Sequence, residues 1–166
     1  MDSLPHTRGC FVCGLHNPIG FQLDMTSDSK IVESRFTFRE DHAGFRGVIH
    51  GGLISTVLDE IMAWVIGVNA QRFAYCAELN VRFLKTATPG VPVIARGELL
   101  ENKRGRLFLV KATLLSEEGE LHAEANGKFL PIPEAQHGKL FRDFAEDPTR
   151  WLGAGAAVWN QPEGGI

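Results

Sequence analysis

His50-Gly51-Gly52-Leu53-Ile54-Ser55-Thr56-Val57-Leu58-Asp59-Glu60-Ile61-Met62-Ala63-Trp64-Val65-Ile66-Gly67-Val68 is the stretch whose reading decides the fold. At about 100° per residue, its polar side chains Ser55, Thr56, Asp59 and Glu60 fall within roughly 140° of arc, which predicts one long helix from Leu53 to about Val68. Everything else on it is apolar or glycine, so most of its circumference must be buried. The Gly51-Gly52 pair sits at the helix start, where backbone N–H groups lack intrahelical partners. Glycines let a ligand oxygen approach those amides, and the helix dipole favours negative charge there. Such a turn suits an oxyanion hole; it equally suits a plain tight turn into the helix.

Outward from the helix the pattern becomes strand-like. Upstream, Phe21–Met25 and Ile31–Phe38 alternate around the turn signal Thr26-Ser27-Asp28-Ser29 and predict a hairpin, followed by a loop over residues 40–49 with Gly44 and Gly47. Downstream, Tyr75–Leu84 sets Ala77, Leu79, Val81 and Phe83 against Cys76, Glu78, Asn80 and Arg82. Val91–Glu101, Arg106–Ser116 and Glu120–Leu130 follow, separated by glycine turns suited to an antiparallel meander. Two strands, one buried helix and four strands predict an α+β domain, with an antiparallel sheet of about six strands wrapped around one central helix. The expected divisions are a lead-in loop over 1–19, the domain over 20–131, and a C-terminal extension over 132–166. In the extension, residues 137–146 read as a short helix, Gly153–Ile166 as partly disordered, and Trp151 and Trp159 as docking residues.

Bulk properties narrow the function. Apolar residues make up 44% of the 166, and the charge of −3 comes with no lysine- or arginine-rich stripe, so nucleic acid is not an expected partner. Leu53–Val68 is interrupted by Asp59 and Glu60 and is too short to span a bilayer, so no membrane partner is expected. MDSLPHTRGC has no apolar signal core, and three cysteines make no disulfide framework; a reducing cytoplasm is the expected location.

Asp59 is the residue most suggestive of chemistry. An ionised carboxylate on a buried helix is costly unless paired or used. It lies seven residues beyond Gly52, about 10 Å along the axis at ~1.5 Å per residue, so both cannot grip one small group from the same chain. If both act on one substrate, two copies of the chain must supply them. The competing reading puts Asp59 or Glu60 on a solvated strip. Glu60, 100° further round, is expected to be solvated or salt-bridged.

His50-Gly51-Gly52-Leu53 followed by Leu58-Asp59 resembles the H-G-G-x(6)-D signature of hotdog-fold thioesterases of the phenylacetate-pathway (PaaI-like) type. Glu78–Leu84 resembles the strand after the helix, and Gly119–Phe129 the last hairpin. Cys10-Phe11-Val12-Cys13-Gly14 with Asn17-Pro18-Ile19-Gly20 resembles the lead-in of one branch. The resemblance implies an acyl-CoA substrate, a homodimer or homotetramer, and no cofactor. It implies that the Gly51 amide polarises the thioester carbonyl, with Gly52 beside it. His50 holds the turn or contacts the thioester, and Asp59 from the partner subunit attacks the carbonyl or activates water. Two positions depart from the pattern: Gly44 stands where many members carry Asn, and Cys76 where many carry Ser or Thr. His42 is a candidate replacement for that Asn. Arg104 and Arg106, in the turn after Glu101, are candidates for the coenzyme A phosphates.

Other readings remain beside this one. A non-catalytic acyl-CoA or lipid-binding hotdog protein is favoured slightly by Gly44 and Cys76, and a dehydratase lacks its usual His/Asp or His/Glu arrangement. His6, Cys10, Cys13 and His16 can be written as a Cys2His2 zinc set, but four ligands within eleven residues make a cramped site, so no metal is expected. Cys-x2-Cys lacks the βαβ context of a redox motif.

Overall fold

Helix α1 begins at Gly51, two residues before the apolar pattern, and runs to Ala70. The earlier start arises because His50 caps the helix: its Nδ1 accepts the Gly52 N–H at 2.9 Å. Gln71, in the left-handed conformation, ends it. At 20 residues and mean hydropathy 1.5, α1 is long and apolar enough to cross a membrane, which corrects the expectation of a stretch too short to span. Here Val57, Leu58, Ile61, Met62, Val65 and Ile66 are fully buried against a sheet instead.

The computed structural model describes residues 1–153. Its sheet is antiparallel throughout and comprises β1 (Asp2–Ser3), β2 (Thr26–Ser27), β3 (Ile31–Thr37), β6 (Ala74–Phe83), β7 (Pro92–Asn102), β8 (Phe108–Ser116) and β9 (Leu121–Pro131). The spatial order is β1-β2-β3-β7-β8-β9-β6. The meander expected of the last three strands is present, and β6 closes one edge beside β9. A separate hairpin, β4 (Ala43–Phe45) with β5 (Val48–Ile49), occupies the segment expected as plain loop. The helix lies close to the sheet because Gly97 and Gly127 face it: a Cβ there would meet Ile61 at 2.7 Å and the Met62 sulfur at 3.1 Å.

One strand expectation fails. Phe21–Met25 forms no strand and no part of the expected hairpin, because Gln22 takes φ +53 and breaks the run. Its amides turn to the lead-in, Phe21 N–H to Phe11 O and Leu23 N–H to Val12 O, both at 2.9 Å. The lead-in itself is packed, with Leu4, Val12 and Cys13 buried. It is also clasped to the C-terminal extension: Arg8 N–H donates to Asp143 O and Ala145 N–H to His6 O. Helices α2 (Glu134–Phe141) and α3 (Thr149–Leu152) bury Phe141, Trp151 and Leu152 over the C-terminal half of α1. The short helix thus begins earlier than residue 137. Trp159 and the tail from residue 154 lie outside the described residues.

Candidate active site

The candidate residues fall into two groups along α1, one at its start and one two turns further on. At the helix start, His50, Gly51, Ile54, Phe45, Phe83 and Ala87 line a cleft of about 430 Å³. The capping bond fixes the imidazole: Nδ1 is an acceptor, so the neutral ring carries its proton on Nε2. That bond takes up the Gly52 amide. The Gly51 amide has no acceptor among the described residues, leaving it as the free donor in the cleft. A Cβ on Gly51 would lie 3.1 Å from the Phe83 ring, so a side chain there needs that ring to give by a few tenths of an ångström.

Asp59 does not line this cleft. It sits two helical turns away, half-buried, with Oδ1 lacking any hydrogen-bond partner among the described residues. Burial raises its pKa above the usual carboxylate value, and the neighbouring Cys76 thiol partly opposes that shift. Cys76 is in turn pushed up to about 12 by burial and by Asp59, so it stays a thiol. Strict alternation along β6 sets Cys76 on the face away from Leu79. A bulge between Cys76 and Glu78 leaves Ala77 unmatched, so Cys76 opposes the buried Phe129 and reaches the helix side.

Gly44 packs on the cap: a Cβ there would meet His50 Cδ2 at 3.0 Å and His50 Cα at 3.3 Å. A larger residue at 44 requires this turn to shift. His42 does not line the cleft. Its ring is buried beside Phe21 and Phe38, and Nδ1 accepts the Arg39 amide. Burial lowers its pKa, and Nε2 has no hydrogen-bond partner among the described residues.

The turn after β7 carries Arg104, at φ +55, and Arg106; both are exposed and neither forms an ion pair among the described residues. Asn102, Phe108, Phe129 and Cys76 occupy one row across the sheet. The two arginines therefore lie beyond that row, two to three strands across from Cys76, at least about 10–14 Å away at ~4.8 Å per strand. Met62 is in the core, and Trp64 packs on Phe144.

Glu60 does not stand open to solvent and forms no salt bridge among the described residues. It is half-buried beneath the lead-in, with Oε2 3.6 Å from the Cys10 sulfur. Its covering residues come from fifty positions upstream, which no local pattern discloses.

A family model described as Thioesterase superfamily matches residues 46–123, spanning the cap, α1 and most of the sheet. Over that segment the chain is similar to the thioesterase superfamily. No curated protein matches the chain in sequence. Solved structures share the fold. A thioesterase superfamily protein is 22% identical with TM-score 0.67, the match covering 74% of this chain and 63% of that one. A Streptococcus mutans protein bound to acetyl CoA is 22% identical with TM-score 0.62, covering 71% and 95%. A hypothetical thioesterase from Streptococcus pneumoniae, solved with coenzyme A, is 14% identical with TM-score 0.61, covering 66% and 85%. Likeness at this identity shows the fold, a hotdog with α1 as its central helix. The chain spans less than two thirds of the first of these proteins.

Proposed function

We propose that the protein hydrolyses acyl-CoA thioesters at a site completed by a second copy of the chain. The Gly51 amide of one subunit polarises the thioester carbonyl, and Asp59 of the partner subunit serves as nucleophile or general base. One observation carries this reading. The free amide lies in a cleft that lacks a carboxylate, while an unpartnered carboxylate oxygen is buried about 12 Å along the same helix, at ~1.5 Å per residue. Each is half of a thioester-cleaving pair.

The open edge of β6 supports the pairing. It is ten residues long, lies at the end of the sheet, and presents Tyr75 and Phe83 at more than half exposure. The coenzyme A and acetyl CoA bound to two structural relatives support the substrate class. Free Cys10, Cys13 and Cys76 fit a reducing, cytoplasmic setting.

Cys76 favours a second reading, an acyl-CoA-binding protein without turnover, because a thiol beside Asp59 is a weaker hydrogen-bond donor than a hydroxyl. Assay of an acyl-CoA panel with wild type and Asp59→Asn decides between them. Hydrolysis by wild type and its loss in the variant are expected. Equal, background hydrolysis by both overturns the enzyme. Mixing inactive Asp59→Asn and Gly51→Pro chains tests the sharing. Activity must return in the mixture, because one composite site then has both an intact amide and an intact carboxylate.

A further inference from the structure

The lead-in motif Cys10-Phe11-Val12-Cys13-Gly14 has no part in the proposed thioester site, yet its backbone is closely constrained. Residues 7–8 pair back on 15–16 through Leu15 N–H to Thr7 O and His16 N–H to Arg8 O. The tip reverses at Cys10–Cys13, where Gly14 N–H donates to Cys10 O at 2.9 Å. A Cβ on Gly14 would fall 2.3 Å from that carbonyl, so only glycine completes the turn. Gly20 is excluded from any larger residue in the same way, by Phe11 O at 2.6 Å. The glycine spacing of the motif thus exists to hold this knuckle.

The knuckle aims two sulfurs at one carboxylate. The ligand atoms of Cys10, Cys13 and Glu60 all lie within 4.8 Å of one another. Both sulfurs have local polar partners: Val12 N–H points to Cys10 Sγ at 3.3 Å, and the Thr7 hydroxyl lies 3.4 Å from Cys13 Sγ. Such contacts orient and stabilise thiolates around a cation. No Lys, Arg or His among the described residues forms an ion pair with Glu60.

The histidines that complete a Cys2His2 set on paper are elsewhere. The His6 ring lies between Asp24 and Glu146, and His16 is exposed.

We propose that Cys10, Cys13 and Glu60 bind one zinc-like divalent cation, which fastens the lead-in to the central helix beside Asp59. Two thiolates and a carboxylate suit a borderline-soft, tetrahedral ion. Cys10 and Glu60 both border a cavity of about 180 Å³ that Thr7, Trp64 and Phe144 also line. The fourth ligand position opens there, toward water or a small exogenous donor. This assignment stands independently of thioester hydrolysis.

The test uses the full chain, stripped with a chelator under reducing conditions and titrated with Zn²⁺ or Co²⁺ alone. One equivalent of zinc per chain is expected, with thiolate-to-cobalt charge-transfer absorption on cobalt loading. Cys13→Ser abolishes that absorption. Glu60→Gln weakens zinc binding by about tenfold or more, the effect of a perturbed metal shell. Both variants are checked by circular dichroism, and the wild-type titration needs no variant at all. A wild-type chain that takes up no zinc and shows no cobalt–thiolate band overturns the proposal. So does a Cys10–Cys13 disulfide persisting in the reductant-treated protein, which assigns the pair to redox chemistry.

Discussion

The Gly52 amide hydrogen is bound by His50 Nδ1 at 2.9 Å, and this one contact separates two otherwise equivalent glycines. Gly52 closes the cap, while Gly51 remains free to meet a carbonyl oxygen. Proline at position 51 isolates that donor. The first helical position tolerates proline, and His50, at ψ 126, already has the extended conformation required before it. Gly51→Pro is therefore expected to fold and to lower kcat by about 10²–10³, the usual cost of one oxyanion donor. Gly51→Ala, which keeps the N–H, should retain most of the turnover. Steady-state kinetics on both variants, with circular dichroism as control, check this.

Asp59 links activity to pH and stability with opposite signs. Burial raises its folded-state pKa, so the folded chain holds this proton more tightly than the unfolded chain. The group's favourable contribution is full below the unfolded value of 3.8 and is lost as pH rises through the raised folded value. Asp59→Asn is thus expected to have a higher Tm than wild type at neutral pH, with the gap closing on acidification. Wild-type kcat/KM should fall on the acidic side, with a midpoint above the ordinary carboxylate range. Thermal scans of both proteins and a pH–rate profile check the two halves.

Arg104 and Arg106 sit in the turn after β7, exposed and without ion-pair partners among the described residues. If they meet nucleotide phosphates, replacing either with Ala raises KM for acyl-CoA about two- to fivefold, in keeping with one exposed charge contact. kcat and the KM for a thioester lacking the nucleotide should not change. Comparing those two substrates distinguishes phosphate contact from a general loss of structure.

The approach of α1 to the sheet depends on Gly97, where a Cβ would lie 2.7 Å from Ile61 and 2.9 Å from Val65. Gly97→Val is expected to destabilise the fold by about 1–3 kcal/mol through overpacking. Urea unfolding should show a lower midpoint at an unchanged m-value.

The sequence discloses what is local. The apolar run after His50 marks α1, and period-two alternation marks β7, β8 and β9. What it conceals depends on distant partners. Leu23 and Met25 are buried, as alternation suggests, but the backbone around them bonds to Phe11, Val12 and Leu4 rather than completing a hairpin. A bulge at Ala77 reverses the face of Cys76, and the alternating residues around it give no sign of that slip. Glu60 looks like a solvated neighbour of Asp59 until the lead-in is folded over it.

The placement of β3 also separates what is recognisable from what can fold. The family model matches residues 46–123, yet those residues omit β3, which pairs with β7 along seven consecutive positions from Ile31 to Thr37. They omit as well the Trp151–Leu152 cover and the clasp between Arg8 and Asp143. A fragment cut at those limits would expose one side of β7 and strip the far half of α1. The detectable signature is therefore smaller than the cooperative unit, and an expression fragment that respects the physics must reach from the first strand at least to Leu152.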